Sequence, residues 1–165
     1  MTGVTVRVLG IDPGSSRTGY GVLEQGGEQP RLLASGVIGS GRQGLPQRLA
    51  RIFQGVQEVI GKYQPQVLAL EEVFHAKNAK SALVLGQARG VVLLAAGLAG
   101  VEVCEYAPRR IKQTVAGSGG ADKRQVQRML EAWLGRAPQQ LDASDAVAVA
   151  LCHLHWAGRL EVVAT

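Results

Sequence analysis

Two hydrophobic periods alternate along this chain. Residues 5–12 (TVRVLGID) are apolar and β-branched enough for a central strand. Residues 18–25 and 31–39, either side of GGEQP, predict two further strands in a meander of hairpins. From Leu45 the period lengthens. Leu45, Leu49, Ile52, Phe53, Val56, Val59 and Ile60 recur at helical spacing, while Arg48, Arg51 and Gln57 lie mostly off that face, so an amphipathic helix covers the sheet until Pro65 ends it. Residues 66–74 (QVLALEEVF) predict a fourth strand that runs from a buried stretch into two acids. A second helix follows over 79–99, then a fifth strand over 101–106 (VEVCEY), then helices at about 108–115, 122–134 and 142–157. GSGG at 117–120 predicts a mobile hinge between two of them. The pattern is that of one alternating α/β unit, with no repeat and no stretch long enough to be an interdomain linker.

Composition agrees with this reading: 165 residues, 46% of them apolar, suffice for one domain with a proper core. We expect residues 1–158 to form that domain and 159–165 a short tail. The opening MTGVTVRVLG lacks the basic and apolar regions of a secretory signal, which predicts a cytoplasmic protein. The most membrane-like stretch, 82–101, carries Gln87 and Arg89, and an Arg in mid-span favours a soluble helix over a membrane one. On that helix Gly86 and Gly90 leave one side nearly bare, open to close packing by another helix or by a second subunit. Cys104 and Cys152 lie far apart without metal-binding spacing and are expected to act as small core residues.

Charge changes the picture only when it is located. The net charge of +5 is concentrated in residues 109–128, where Arg109, Arg110, Lys112, Lys123, Arg124 and Arg128 face the single acid Asp122. The other twelve basic and twelve acidic residues balance. A basic segment on a neutral body fits a polyanionic partner, or else a solvated helix face.

Acids stand where apolar elements end. Asp12 closes the first strand, Glu71 and Glu72 stand near the end of the fourth, and Asp142 and Asp145 open the last helix. If the first and fourth strands are neighbours, these carboxylates converge. Crowded carboxylates raise one another's pKa unless a cation neutralises them, and hard oxygen donors suit Mg²⁺ or Mn²⁺. Two such ions can activate water and stabilise the leaving oxygen in attack on a phosphodiester. Each acid also has a structural role open to it. Asp12 before Pro-Gly suits an Asx turn, and Asp142 with Asp145 suits a helix cap. Strand alternation admits only one of Glu71 and Glu72, and Glu71 is chosen.

Four segments, GIDPGSSRTGYGV, ALEEVFHAKNAKSALVLGQARG, YAPRRIKQTVAGSGGADKRQVQ and LDASDAVAVALCH, together resemble the RuvC-type Holliday-junction resolvases over essentially the whole chain. The resemblance implies a ribonuclease H-like α/β fold, a five-stranded mixed sheet flanked by helices. It also implies a homodimeric, Mg²⁺-dependent endodeoxyribonuclease that nicks two opposed strands of a four-way DNA junction, with two ions per active site. By motif, the family's catalytic and metal-binding carboxylates fall on Asp12, Glu71, Asp142 and Asp145, and its motif lysines on Lys112 and Lys123. Some relatives carry a histidine where Asp142 stands, so ligand and base roles both remain open there. Phe74 matches the family's base-stacking aromatic, with a core or loop anchor as the plain alternative. Arg109, Arg110 and Arg124 join the lysines as expected DNA contacts, and Gly86 and Gly90 fall near the expected dimer interface. The junction-migration proteins RuvA and RuvB are implied as partners.

Other classes fit less well. The first loop also resembles the phosphate loop of sugar kinases and actin, but 165 residues leave no room for the second domain that such enzymes close over ATP. A non-catalytic junction-binding module has no need of four acids. Another ribonuclease H-like nuclease is the nearer alternative. His75 stands beside Phe74 and could touch DNA, whereas His153 and His155 read as helix-surface or packing residues.

Overall fold

The computed structural model describes residues 3–72 and 77–163, with side chains placed as far as residue 157. Phe74 and His75 lie outside the described residues. The elements follow in the expected order: β1 (Val6–Asp12), β2 (Arg17–Gln25), β3 (Arg31–Gly39), α1 (Leu45–Tyr63), β4 (Val67–Glu71), α2 (Ala79–Ala99), β5 (Glu102–Tyr106), α3 (Pro108–Ala116), α4 (Lys123–Leu134) and α5 (Leu141–Val163).

The five strands form one sheet in the order β3-β2-β1-β4-β5. β1 to β3 are the antiparallel meander, whereas β4 pairs in parallel with both β1 and β5. The sheet is therefore mixed, and β1 sits at its centre, buried on both faces.

Strand alternation divides the core in two. Leu9, Ile11, Val22, Leu68 and Leu70 point to one face, where Ile52, Val56 and Ile60 of α1 and Ala88, Val92 and Ala96 of α2 cover them. Val8, Leu23 and Ala69 point to the other, beneath Val147, Ala150 and Leu151 of α5 with Val115 of α3 and Leu130 of α4. The second face matters for function, because Asp12 is in phase with Val8, and Glu71 with Ala69.

Two boundaries differ from the sequence reading. β4 ends at Glu71, although the Glu72 amide still donates to the Tyr106 carbonyl at 2.8 Å, and residues 73 and 74 of the expected strand lie outside the described residues. α5 begins at Leu141 and continues to Val163, through most of the expected tail. Asp142 thus stands within the first turn of the helix and not at its cap. The 117–120 segment is a hydrogen-bonded turn: Gly117 ends α3 at φ 76°, and Ser118 accepts from the Ala121 amide through its carbonyl at 3.2 Å. α2 is the one described helix long and apolar enough to cross a membrane, with mean hydropathy 1.7, yet its Ala88, Val92, Ala95 and Ala96 are spent on the core.

Candidate active site

Parallel pairing of β1 with β4 brings the first two acids together. Ile11 lies opposite Leu70, so Asp12 and Glu71 end neighbouring strands at the same edge of the sheet and on the same face. This is where strand ends of an open α/β sheet usually build a site. The loop after Asp12 is tied down from α1: Arg48 donates to the Ser15 carbonyl from Nε at 3.1 Å and from Nη2 at 2.7 Å. The Ser40 hydroxyl reaches the same carbonyl at 2.8 Å.

α5 supplies the other two acids, and it does so because glycines let it lie directly on the sheet. A Cβ at Gly10 would fall 1.9 Å from the Ala146 carbonyl oxygen, and one at Gly19 would fall 1.9 Å from that of Asp142. No side chain fits in such a gap. The first turn of α5 therefore rests against β2 opposite Asp12, whose ladder partner is Gly19. Asp142 and Asp145, three residues apart, share the helix face turned to the strand ends.

α3 and α4 close the cleft with cations. Lys112, Lys123, Glu71 and Asp145 line a cavity of about 250 Å³ whose apolar wall is Ile111, Val126 and Ala148. Lys123 Nζ lies 3.5 Å from Asp145 Oδ2, and Arg17 Nε, from β2, lies 3.1 Å from Asp142 Oδ2. Burial, then repulsion from Asp145, Glu71 and Asp142, pushes the Asp12 carboxyl up to about 7, against the pull of Lys123. Glu71 is raised by burial and by Asp145, with Lys112 and Lys123 opposing. Asp145 is raised chiefly by burial, and Lys123 opposes the shift.

A set of mutually repelling carboxylates, all oxygen donors, fits a hard divalent cation. Among the described residues no three acidic, histidine or cysteine side chains already close around one point. Two of the four carboxylates are instead held by the chain's own cations, Asp142 by Arg17 and Asp145 by Lys123.

The other residues singled out in the sequence fall in several places. The Arg109 stem packs against Gly119, where an added Cβ would meet its Cγ at 2.5 Å. Arg110 lies 4.9 Å above the Trp156 ring of α5. Arg124 lines a different cleft, on another side of α4. Glu72 is absent from the cavity wall. Gly86 and Gly90 face open space on α2. Both cysteines are free thiols; Cys152 is buried and Cys104 partly so. His153 is buried and shares a 2.7 Å hydrogen bond with the Tyr106 hydroxyl, whose pKa burial pushes up to about 12.

Three contributors carry no signal in hydrophobic pattern. Arg17 and Arg48 reach the site through pairings between elements distant in sequence. Arg89 of α2 donates to the Glu71 carbonyl at 2.8 Å and pairs with Glu105, which anchors the end of β4.

Comparison with known proteins decides the family. The family model for the crossover junction endodeoxyribonuclease RuvC matches residues 8–153. The chain belongs to the RuvC family. The RuvC of Hahella chejuensis is 52% identical over 151 residues, covering 91% of this chain and 88% of that one. The solved RuvC of Thermus thermophilus in complex with a Holliday junction superposes with TM-score 0.87 at 38% identity, over 92% of this chain and 94% of that one. The yeast mitochondrial Holliday junction resolvase shares the fold, with TM-score 0.71 at 16% identity, over 98% of this chain and 82% of that one. The ribonuclease H-like architecture expected from the sequence is thus the RuvC fold.

Proposed function

We infer that this chain is an endodeoxyribonuclease that cuts crossover (Holliday) junctions. The observation that carries the reading is that Glu71, Asp142 and Asp145, from β4 and α5, come close enough to Asp12 of β1 to raise its pKa, beside a cleft that Glu71 and Asp145 share with Lys112 and Lys123, in a chain of the RuvC family. Mg²⁺ or Mn²⁺, two ions per site, would be held by these four carboxylates and, when bound, would supply a nucleophile at neutral pH and charge neutralisation at the phosphodiester.

The chain's own residues do the rest. Lys112 and Lys123 line the cleft, and their role in this reading is to hold the scissile phosphate and to offset the negative charge that grows on it during attack. Asp12, half protonated near neutral pH in the free protein, would have to hold a cation as the carboxylate. Arg17 and Lys123, paired with Asp142 and Asp145, would compete with a cation for those two carboxylates. Arg48, Ser40 and Arg89 fix the strand ends, so that the acids enter with little freedom left to lose.

A four-way junction presents two equivalent strands about a twofold axis, and a homodimer matches that symmetry. Leu83, Leu94 and Leu98 are 64%, 54% and 68% exposed on α2, in a stripe with Gly86 and Gly90. That apolar, partly bare face suits a second copy of this chain. Cytoplasmic residence beside DNA, and partnership with RuvA and RuvB, belong to the same reading by family resemblance.

The test is a synthetic four-way junction with and without Mg²⁺, compared with linear duplex and an RNA–DNA hybrid. Paired nicks in the junction alone, dependent on the ion, are expected. Equal cutting of the hybrid would move the chain to another class of ribonuclease H-like nuclease.

A further inference from the structure

α4 presents positive charge on two different sides. Lys123, its first residue, turns to Asp145 in the nuclease cleft. Arg124 and Arg128 stand roughly 100° and 140° further round the helix, by its 3.6 residues per turn. They open onto a separate cleft of about 390 Å³ between α4 and residues 137–139. Four residues apart on the helix, both line this cleft, and like charges so spaced disfavour one another unless an anion offsets them. Neither arginine makes an ion pair among the described residues.

The opposite wall is fixed in place. Gln127 donates to the Pro138 carbonyl at 3.1 Å, and the buried Ser144 hydroxyl donates to the same oxygen at 3.0 Å. Ser144 sits between Asp142 and Asp145, so this wall is tied to the turn of α5 that carries two of the acids. Glu131 also lines the cleft and offsets part of its charge.

We propose that this cleft is a second phosphate site, which takes the sugar–phosphate backbone of the DNA arm as it leaves the nuclease cleft. The proposal rests on the reading of the chain as a junction nuclease and adds to it a contact away from the cut. Arginine forks suit phosphate oxygens, and contacts of this kind position a duplex without reading its sequence.

The test is a chemical cycle on the full-length protein, in chelator so that nothing is cut. Junctions carrying one neutral methylphosphonate at successive arm positions are bound to wild type and to Arg128→Gln. Wild type should lose roughly three- to tenfold at one or two positions a few nucleotides from the nick site, and Arg128→Gln should show no further loss at those same positions. Its slope of log affinity against log salt should be shallower by about 1. Arg128→Lys should restore the slope, and Glu131→Gln should tighten binding.

Losses that add independently at every position, or an unchanged slope in Arg128→Gln, would overturn the proposal. Failure of wild type to prefer the junction over linear duplex would instead overturn the functional reading beneath it.

Discussion

Asp12 is the residue on which charge, burial and pH meet. Its carboxyl is raised to about 7, so the folded protein binds a proton there between about pH 4 and 7 that the unfolded chain does not. The sign follows: in the absence of divalent ions this group makes the fold less stable as pH rises through that window. Asp12→Asn should therefore stabilise the ion-free protein at pH 8, by on the order of 2 kcal/mol, with the gain vanishing near pH 4. Thermal melts in chelator at the two pH values measure it. The same variant should bind junctions and fail to nick them, and nicking at the wild-type rate would remove Asp12 from the ligand set. Ligation needs the carboxylate, so Mg²⁺ affinity in the wild type should fall as pH drops below about 7, by up to tenfold per unit. Arg17 makes the opposite contribution. It occupies Asp142 through a partly exposed pair, 57% and 37% accessible, so the attraction to be broken is under about 1 kcal/mol. Arg17→Gln should tighten Mg²⁺ binding by about two- to fivefold in calorimetry, and weaker binding would make Arg17 an orienting residue instead.

Among the elements, α5 is the one whose placement makes the site. Its backbone is in contact with β1 and β2 at Gly10 and Gly19, with no layer of side chains between them. Gly19→Ala would put a methyl into the Asp142 carbonyl and lever the first turn off the sheet. The expected cost is about 1–3 kcal/mol or more in chemical denaturation, with loss of nicking out of proportion to any loss of junction binding. α3 is seated on α5 by polar contacts: Trp156 Nε1 donates to the Thr114 hydroxyl at 3.0 Å, and Arg110 covers the Trp156 ring. Lys112 therefore stands on the same rigid support as Asp145.

For the whole molecule, the question is how two cuts are coordinated. One α2 face covers α1 and the sheet while the other leaves leucines exposed, and a copy packed against that outer face would set two nuclease clefts about one axis. Leu94→Glu places a charge on the outer stripe without touching Val92, Ala95 or Ala96 in the core. If α2 carries the proposed dimer, wild type should sediment as a dimer and Leu94→Glu as a monomer, and the two nicks should lose their coupling. A dimer that survives the charge would move the interface off α2.

Much of this protein was legible in the order of its residues, because helix and strand periods are local properties and motif acids sit at element ends. Asp12, Glu71, Asp142 and Asp145 could each be picked out that way, and so could the basic segment around Lys112 and Lys123. Alternation separated Glu71 from Glu72 without any coordinates, since neighbouring strand residues must point to opposite faces. Periodicity says nothing, however, of which strand lies beside which, nor of how closely a helix approaches a sheet. Arg17, Arg48 and Arg89 act on partners that are remote in sequence, and Arg124 is turned from the nuclease cleft by its angle on α4. Local sequence thus determined the elements and the acids themselves; packing, which depends on distant residues meeting at a few ångströms, decided which charges share a cleft and which are already paired.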